Sequence, residues 1–302
     1  MRLAALALLA SGVFGQTIGL VSAGYAPRVT AVTVAPGQVI TISVFGITTT
    51  GGISATVQSG ALLPIPVPLL SVSQSPCPTA SIPCGVVTDI SLQIPFEVPP
   101  PVPPGSERPT LLSNLVFAKN GVAEGFVPLN IVSDRIHIAN SCDTTFTNAA
   151  AVCQPVVTHA DGSYVTQAQP AHPGEEVVIY AVGLGLTNPV SKSGEKSPSP
   201  AAVTQQAFIV GFDLQANAPP HGRAGSAEWF DVTGFFASPT NVLFSGLTPG
   251  FVGLYQINLQ IPIYQTFAAV PPCTADGTIA SNLTVNLLGP ASFDGVGLCV
   301  AF

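Results

Sequence analysis

Three segments of the amino-terminal half recur in the same order in the carboxy-terminal half, and this repetition constrains the fold more than any other feature. The first match carries a Pro-Gly turn into an apolar run, the second reads Ile-x-Leu-Gln-Ile-Pro, and the third begins Ser-Asn-Leu. Such collinear matches predict two copies of one domain. The matched segments are 36–46 with 173–183, 90–95 with 257–262, and 113–121 with 281–289.

The matched segments have the pattern of strands. Residues 255–261 alternate apolar side chains with Gln and Asn, and 283–287 alternate in the same way. This period of two places one face in a core and the other in water. Many short strands separated by Pro-Gly and Asp-Gly turns predict an all-β chain of two tandem immunoglobulin-like antiparallel sandwiches. The predicted domains are 24–134 and 135–302.

A proline-rich run at 98–109 is typical of a stiff linker between domains. However, it lies between the second and third matched segments, and its counterpart is 263–280. We therefore predict that it is a connection within the first domain and that the domain boundary lies near 133–141. A peptide-ligand role for its PxxP pattern is an alternative.

Composition narrows the function classes. Only 8% of the 302 residues are charged, which is far too few for a solvated disordered chain or a coiled coil. The formal net charge of −7 disfavours nucleic acid and anionic membrane surfaces as partners. The 30 prolines and 29 glycines fit the many turns of a β protein.

The amino terminus has the features of a secretory signal peptide at 1–15. Arg2 precedes a short apolar run, and Val13 and Gly15 suit a cut after Gly15. A short buried helix is the alternative. No later stretch has the length of a transmembrane helix. We expect an exported protein that is secreted, periplasmic or at the cell surface, with no transmembrane segment in the mature chain.

An exported chain can form disulfides, and six cysteines allow fifteen pairings. Closeness along the chain favours Cys77–Cys84, Cys142–Cys153 and Cys273–Cys299. The spacings lack the pattern of a zinc site, so no metal is predicted.

Tyr255 follows a turn and enters a strand, as in the tyrosine corner of immunoglobulin-like sandwiches. We predict that its hydroxyl bonds to nearby backbone and has a structural role. Thr88 occupies the matching place in the first copy, which therefore lacks the corner.

Segments around 161–185 and 242–262 resemble the Solibacter-type uncharacterised carboxy-terminal domain family of exported acidobacterial proteins. The similarity is specific over about 155–300 and looser over 29–132, where 90–97 matches a strand of the family that ends in Pro-Trp-Glu. The resemblance implies export and an immunoglobulin-like β fold. It implies no activity and no catalytic residues.

The chain departs from the family pattern by an insertion at about 212–241, which carries the only Trp. An aromatic insertion with several charges is a candidate contact surface, although aromatic residues covering a sheet are the favoured explanation. The candidate contact residues are Trp229, Phe230, His221, Arg223 and Glu228.

Motifs for catalysis and for cofactors are absent from the sequence, so no cofactor is predicted. Glu175 and Glu176 are neighbours on a predicted strand and face opposite sides, unlike a glycosidase pair. We predict a non-catalytic exported protein with a cell-surface or extracellular interaction or structural role, its partner being an unidentified protein or glycan. The alternatives are a carbohydrate-binding module built on Trp229, and a hydrolase that uses His159 or His221.

Overall fold

The structure is a computed structural model of the chain. In the part that it describes, the chain forms strands and turns and no helix, as the sequence predicts. This part therefore contains no helix long and apolar enough to cross a bilayer. The described residues are 18–26, 31–47, 50–76, 86–99, 113–141, 143, 154–206, 208–212, 242–261, 283–287 and 293–301.

The first half forms two sheets. A four-stranded sheet has the order β1-β3-β7-β6, and a five-stranded sheet has the order β2-β9-β8-β4-β5. Every pairing is antiparallel except that of β2 with β9. The strands are β1 (Gly19–Ser22), β2 (Val32–Val34), β3 (Val39–Phe45), β4 (Ile53–Ser59), β5 (Ile65–Val67), β6 (Leu69–Pro76), β7 (Val86–Gln93), β8 (Ser113–Lys119) and β9 (Val122–Ile131).

The core of the first half lies between these sheets. Ile42 of β3 and Ile90 of β7 are fully buried and share one apolar cluster with Leu115 and Phe117 of β8. Because β8 belongs to the other sheet, the two sheets pack face to face in a sandwich-like arrangement.

The second half also forms two sheets. One sheet has the order β10-β12-β17-β16-β14-β13, with β11 also paired to β12, and a three-stranded sheet has the order β15-β18-β19. The strands are β10 (His137–Ile138), β11 (Val157–His159), β12 (Glu176–Val182), β13 (Thr187–Asn188), β14 (Val203–Thr204), β15 (Phe208–Phe212), β16 (Val242–Leu247), β17 (Tyr255–Gln260), β18 (Leu283–Leu287) and β19 (Phe293–Val296).

The core of the second half also joins two sheets. Ile179 of β12 and Ile257 of β17 are fully buried in one cluster with Leu283 and Val285 of β18. Burial of these alternate apolar residues is the main stabilising contribution to such a sandwich.

The strand pairs that contain the matched segments have the same register. Ile42 lies opposite Ile90 in the β3–β7 pair, and Ile179 lies opposite Ile257 in the β12–β17 pair. These four residues occupy corresponding places in the sequence match. The third matched segment also has equivalent positions, because β8 and β18 both lie in the sheet that faces the pair.

Several predictions fall wholly or partly on residues that the structure does not describe. The signal peptide lies outside the described residues, and most of the proline-rich run at 98–109 does too. The insertion at about 212–241 is described only at Phe212.

Candidate functional site

A Pro-Gly turn in the first half is bonded to the end of β7. Gly37 N–H donates to the Ile94 carbonyl at 2.8 Å, and Ile94 N–H donates to the Gln38 carbonyl at 2.8 Å. The Gln93 side-chain amide donates to the Gly37 carbonyl at 3.2 Å. Within the turn, Ala35 N–H donates to Gln38 Oε1 at 2.7 Å. We call residues 35–38 and 93–94 the first clasp.

The second half contains the same arrangement at the corresponding residues. Gly174 N–H donates to the Ile261 carbonyl and Ile261 N–H to the Glu175 carbonyl, both at 2.7 Å. The Gln260 side-chain amide donates to the Gly174 carbonyl at 3.1 Å. His172 N–H donates to Glu175 Oε2 at 2.8 Å. We call residues 172–175 and 260–261 the second clasp.

The first clasp is buried beneath the second half. Gln38 and Gln93 are both fully buried. Gln93 Oε1 accepts a hydrogen bond from Gly194 N–H at 2.7 Å. Gly253 lies so close that a Cβ there would stand 2.6 Å from the Gly37 carbonyl oxygen. In contrast, Gln260 of the second clasp is exposed.

The segment that follows β7 extends this junction between the halves. Phe96 belongs to the buried core cluster of the second half, and its ring fills the space beside Gly37 where a side chain would stand. Phe96 N–H donates to Ser193 Oγ at 2.8 Å, and Ser193 Oγ donates to Glu97 Oε2 at 2.5 Å. The end of β7 therefore serves as the contact of the first half with the second.

A charged cluster lies at the same junction. The ring of Tyr25, from the first half, stacks on His137 of β10 with centroids 4.0 Å apart. His137 Nε2 lies 2.8 Å from Asp143 Oδ1, and His137 Nδ1 lies 3.2 Å from Asp294 Oδ2. Burial disfavours the imidazolium, but the two carboxylates outweigh it and raise the pKa of His137 to about 9. His137 is therefore charged at neutral pH.

A second histidine lies beside the second clasp. His159 Nδ1 bonds to Glu175 Oε1, and His159 Nε2 lies 3.2 Å from the Gln169 carbonyl. The bond to Glu175 is the main cause that raises the pKa of His159. Partial burial disfavours the Glu175 carboxylate, but the bonds from His159 and the His172 N–H prevail and lower the pKa of Glu175.

The neighbours of His159 do not form a Ser-His-Asp relay. Asp161 accepts from Ser163 Oγ at 2.7 Å rather than from His159, and this serine does not contact the imidazole. Both His159 nitrogens face acceptors, so neither is positioned to take a proton from a serine. Glu175 could not be predicted from the sequence as the partner of His159, because the two residues lie 16 residues apart.

Tyr255 is fully buried, and its hydroxyl donates to the Gly185 carbonyl. The predicted structural bond to backbone is present, but the acceptor lies 70 residues away rather than in the turn. Thr88, in the corresponding place of the first half, is also buried and donates to the Ile47 carbonyl at 2.7 Å. The Thr88 hydroxyl therefore bonds to the segment that follows β3, and the Tyr255 hydroxyl bonds to the segment that follows β12.

Other predicted site residues lie where the structure makes no statement. Trp229, Phe230, His221, Arg223 and Glu228 are outside the described residues, and so is every predicted disulfide partner except Cys299. Cys299 is disulfide-bonded, while its pairing with Cys273 stays a prediction. Within the described ranges, His, Cys, Asp and Glu form no group of three that could hold a metal ion.

Comparison with known proteins adds no relative. Neither a protein-family model nor a curated protein matches this chain. The resemblance to the Solibacter-type family stays a prediction.

Proposed function

We propose that the chain is an exported, non-catalytic protein of two tandem immunoglobulin-like β-sandwich units, with a cell-surface or extracellular interaction or structural role. The observation that carries this proposal is the junction, where the second half buries the first clasp. A direct junction of this kind holds two units in a defined relation, as a structural or adhesive module requires.

Common origin of the two units is supported by the clasps. Each clasp has the same bonds at residues that correspond in the sequence match, and the central strand pairs have the same register. Most of the clasp bonds join backbone groups and therefore depend little on side-chain identity. We infer that they persisted from a common ancestral unit while the rest of the sequence diverged.

A non-catalytic role is supported by the use of the two described ion-paired histidines. His137 lies between two carboxylates, and His159 lies between a carboxylate and a carbonyl. The His137 imidazole links β10 to Asp143 and to Asp294 of β19, and the His159 imidazole links β11 to the chain at 169 and 175. A general base would need a free ring nitrogen facing a substrate.

The proposal is tested with the full chain and a His159→Asn variant in a screen of esterase, peptidase and glycosidase substrates. We expect no turnover by either protein, together with recovery of the chain outside the cytoplasm of a bacterial host. Turnover that His159→Asn abolishes would overturn the non-catalytic role. Retention in the cytoplasm would overturn export.

A polysaccharide array separates the interaction role from the carbohydrate-binding alternative. Wild-type protein and a Trp229→Ala variant with an unchanged melting temperature are compared on the same array. Polysaccharide binding that is lost in the variant would favour the carbohydrate-binding module instead.

A further inference from the structure

In the part of the chain that the structure describes, strand β6 forms an unpaired edge of the four-stranded sheet. It pairs with β7 on one side and is last in the strand order. Five of its eight residues are exposed, and the strand carries no charged residue. Edge strands of soluble proteins are usually shortened, bulged or protected by Lys or Pro. In β6 these features are confined to its ends, a bulge between Leu69 and Ser71 and a terminal Pro76, while 72–75 has neither. Among the described strands, the other sheet ends are shorter: β1 has four residues and a bulge, and β5 has three with a central proline.

The hydrogen-bonding direction of the β6 backbone follows from its pairing with β7. Gln93 N–H of β7 points towards the β6 side, where it donates to the Pro68 carbonyl. Because backbone groups alternate along a strand, Ser73, which lies opposite Asp89, faces β7. The backbone N–H and C=O of the next residue, Gln74, therefore point away from the sheet.

The corresponding edge of the second half is covered by another strand. Gln74 lies opposite Thr88, and Leu247 of β16 lies opposite Tyr255, so Gln74 and Leu247 occupy equivalent places. Leu247 N–H donates to the Ala202 carbonyl at 2.9 Å, next to the pairing of β14 with β16. The same edge position thus accepts an added antiparallel strand in one half and is open in the other.

We propose that β6 pairs antiparallel with β6 of a second copy of this chain across a twofold axis. The two four-stranded sheets would then become one continuous sheet. Identical antiparallel strands satisfy twofold symmetry, and such an interface is closed, so it forms a dimer and not a fibre. The inference rests on the proposed interaction role and names the partner of that role.

Charge favours a second copy at this strand. The chain has a net charge of −7, so two copies repel each other, and the repulsion is least where the facing surfaces are uncharged. β6 is such a surface, since no like charges would face each other across the axis. The Asp89 carboxylate of the neighbouring strand β7 accepts from Ser43 Oγ at 2.5 Å and from Ser75 Oγ at 2.8 Å.

The test is sedimentation equilibrium of the full chain from about 1 µM to about 1 mM, a range that detects a small edge interface. We expect the average mass to rise from one chain towards two, and the rise to strengthen with added salt because salt screens the repulsion. Gln74→Pro removes an outward N–H and no backbone bond to β7. The side-chain bond of Gln74 to Thr88 Oγ1, at 3.4 Å, is lost from the proline variant and its control alike. Each contact occurs twice in a twofold dimer, so the proline substitution removes two hydrogen bonds. It should therefore weaken association about thirtyfold. Gln74→Thr keeps the N–H and is the matched control.

A second pair of variants tests the same interface without introducing a proline into β6. Ser73→Lys places like charges on both sides of the axis and should also weaken association. Ser54→Lys puts the same charge on an exposed residue of β4, which has partners on both sides, and should leave association unchanged. Melting curves check that each variant is folded.

Three results would overturn the proposal. They are a wild-type chain that stays monomeric over the whole range, a dimer that neither Gln74→Pro nor Ser73→Lys weakens, and a monomer that binds a synthetic peptide of residues 200–206 at β6. All three leave the non-catalytic role intact. Conversely, hydrolysis that His159→Asn abolishes would overturn that role while leaving the dimer to stand.

Discussion

The two clasps have the same bonds but different environments. The first is fully buried and carries Gln38, while the second is half-exposed and carries Glu175 in the corresponding place. A carboxylate buried without a cation would be strongly unfavourable, and the neutral amide supplies the same acceptor without a charge. At the exposed end a charge is tolerated, and His159 balances it. Burial by the second half therefore accounts for the chemical difference between two turns with the same geometry.

The hydroxyl bonds of Tyr255 and Thr88 allow the strongest test of the comparison. Tyr255→Ala should lower the free energy of unfolding by about 4 kcal/mol, because it removes a buried ring and a hydrogen bond. Thr88→Ala should cost about 1.5 kcal/mol, because it removes mainly the hydrogen bond. Urea unfolding measures both changes. Tyr255→Phe and Thr88→Val remove only the hydroxyl, and unequal costs for that pair would break the equivalence of the two positions.

The ion pair at the junction predicts a pH dependence of stability. The folded pKa of His137, about 9, lies above its unfolded value of 6.5, so its contribution is complete below 6.5 and is lost as pH rises through 9. The free energy of unfolding should fall by about 3 kcal/mol over this interval. His137→Gln should remove most of this slope. Because the pKa of His159 is also raised, the matched variant His159→Gln should reduce the slope too, but by less. A slope that His137→Gln does not change would contradict the assignment.

Alanine substitutions at two glycines of one turn distinguish the cost of backbone strain from the cost of overlap with the first clasp. Gly250 and Gly253 both have positive φ, at 82° and 62°. A Cβ at Gly250 would meet nothing, whereas one at Gly253 would press on the Gly37 carbonyl. Gly250→Ala should cost about 1 kcal/mol from strain alone, and Gly253→Ala about 3 kcal/mol from strain and overlap. Equal melting temperatures for the two variants would show that this turn does not press on the first clasp.

The clasp glutamines give the smallest effects. Gln93→Ala should cost about 2 kcal/mol, because it leaves the buried Gly37 carbonyl without the Gln93 amide and also removes the bond to Gly194 N–H. Gln260→Ala removes the corresponding exposed bond and should cost about 0.5 kcal/mol, since water replaces the amide. Thermal unfolding of both variants measures the difference. Similar costs would mean that burial does not distinguish the two clasps.

Much of the local structure could be predicted from the alternation of side chains. The strands around Ile42, Ile90, Ile179 and Ile257 were expected, because a period of two requires an apolar face and a polar face. The matched segments also indicated which strands correspond. The acceptor of Tyr255 and the partner of His159 could not be predicted, because both contacts join elements that are distant in the sequence.

By itself, the sequence determined an all-β chain, the places of its central strands and the turns that end them, because periodicity and turn chemistry act over a few residues. Only the tertiary structure decided which clasp is buried, which histidine lies between carboxylates and which sheet edge stays open. Those outcomes depend on how the second half packs against the end of β7. That packing is set by contacts such as Phe96 with Ser193, which are 97 residues apart.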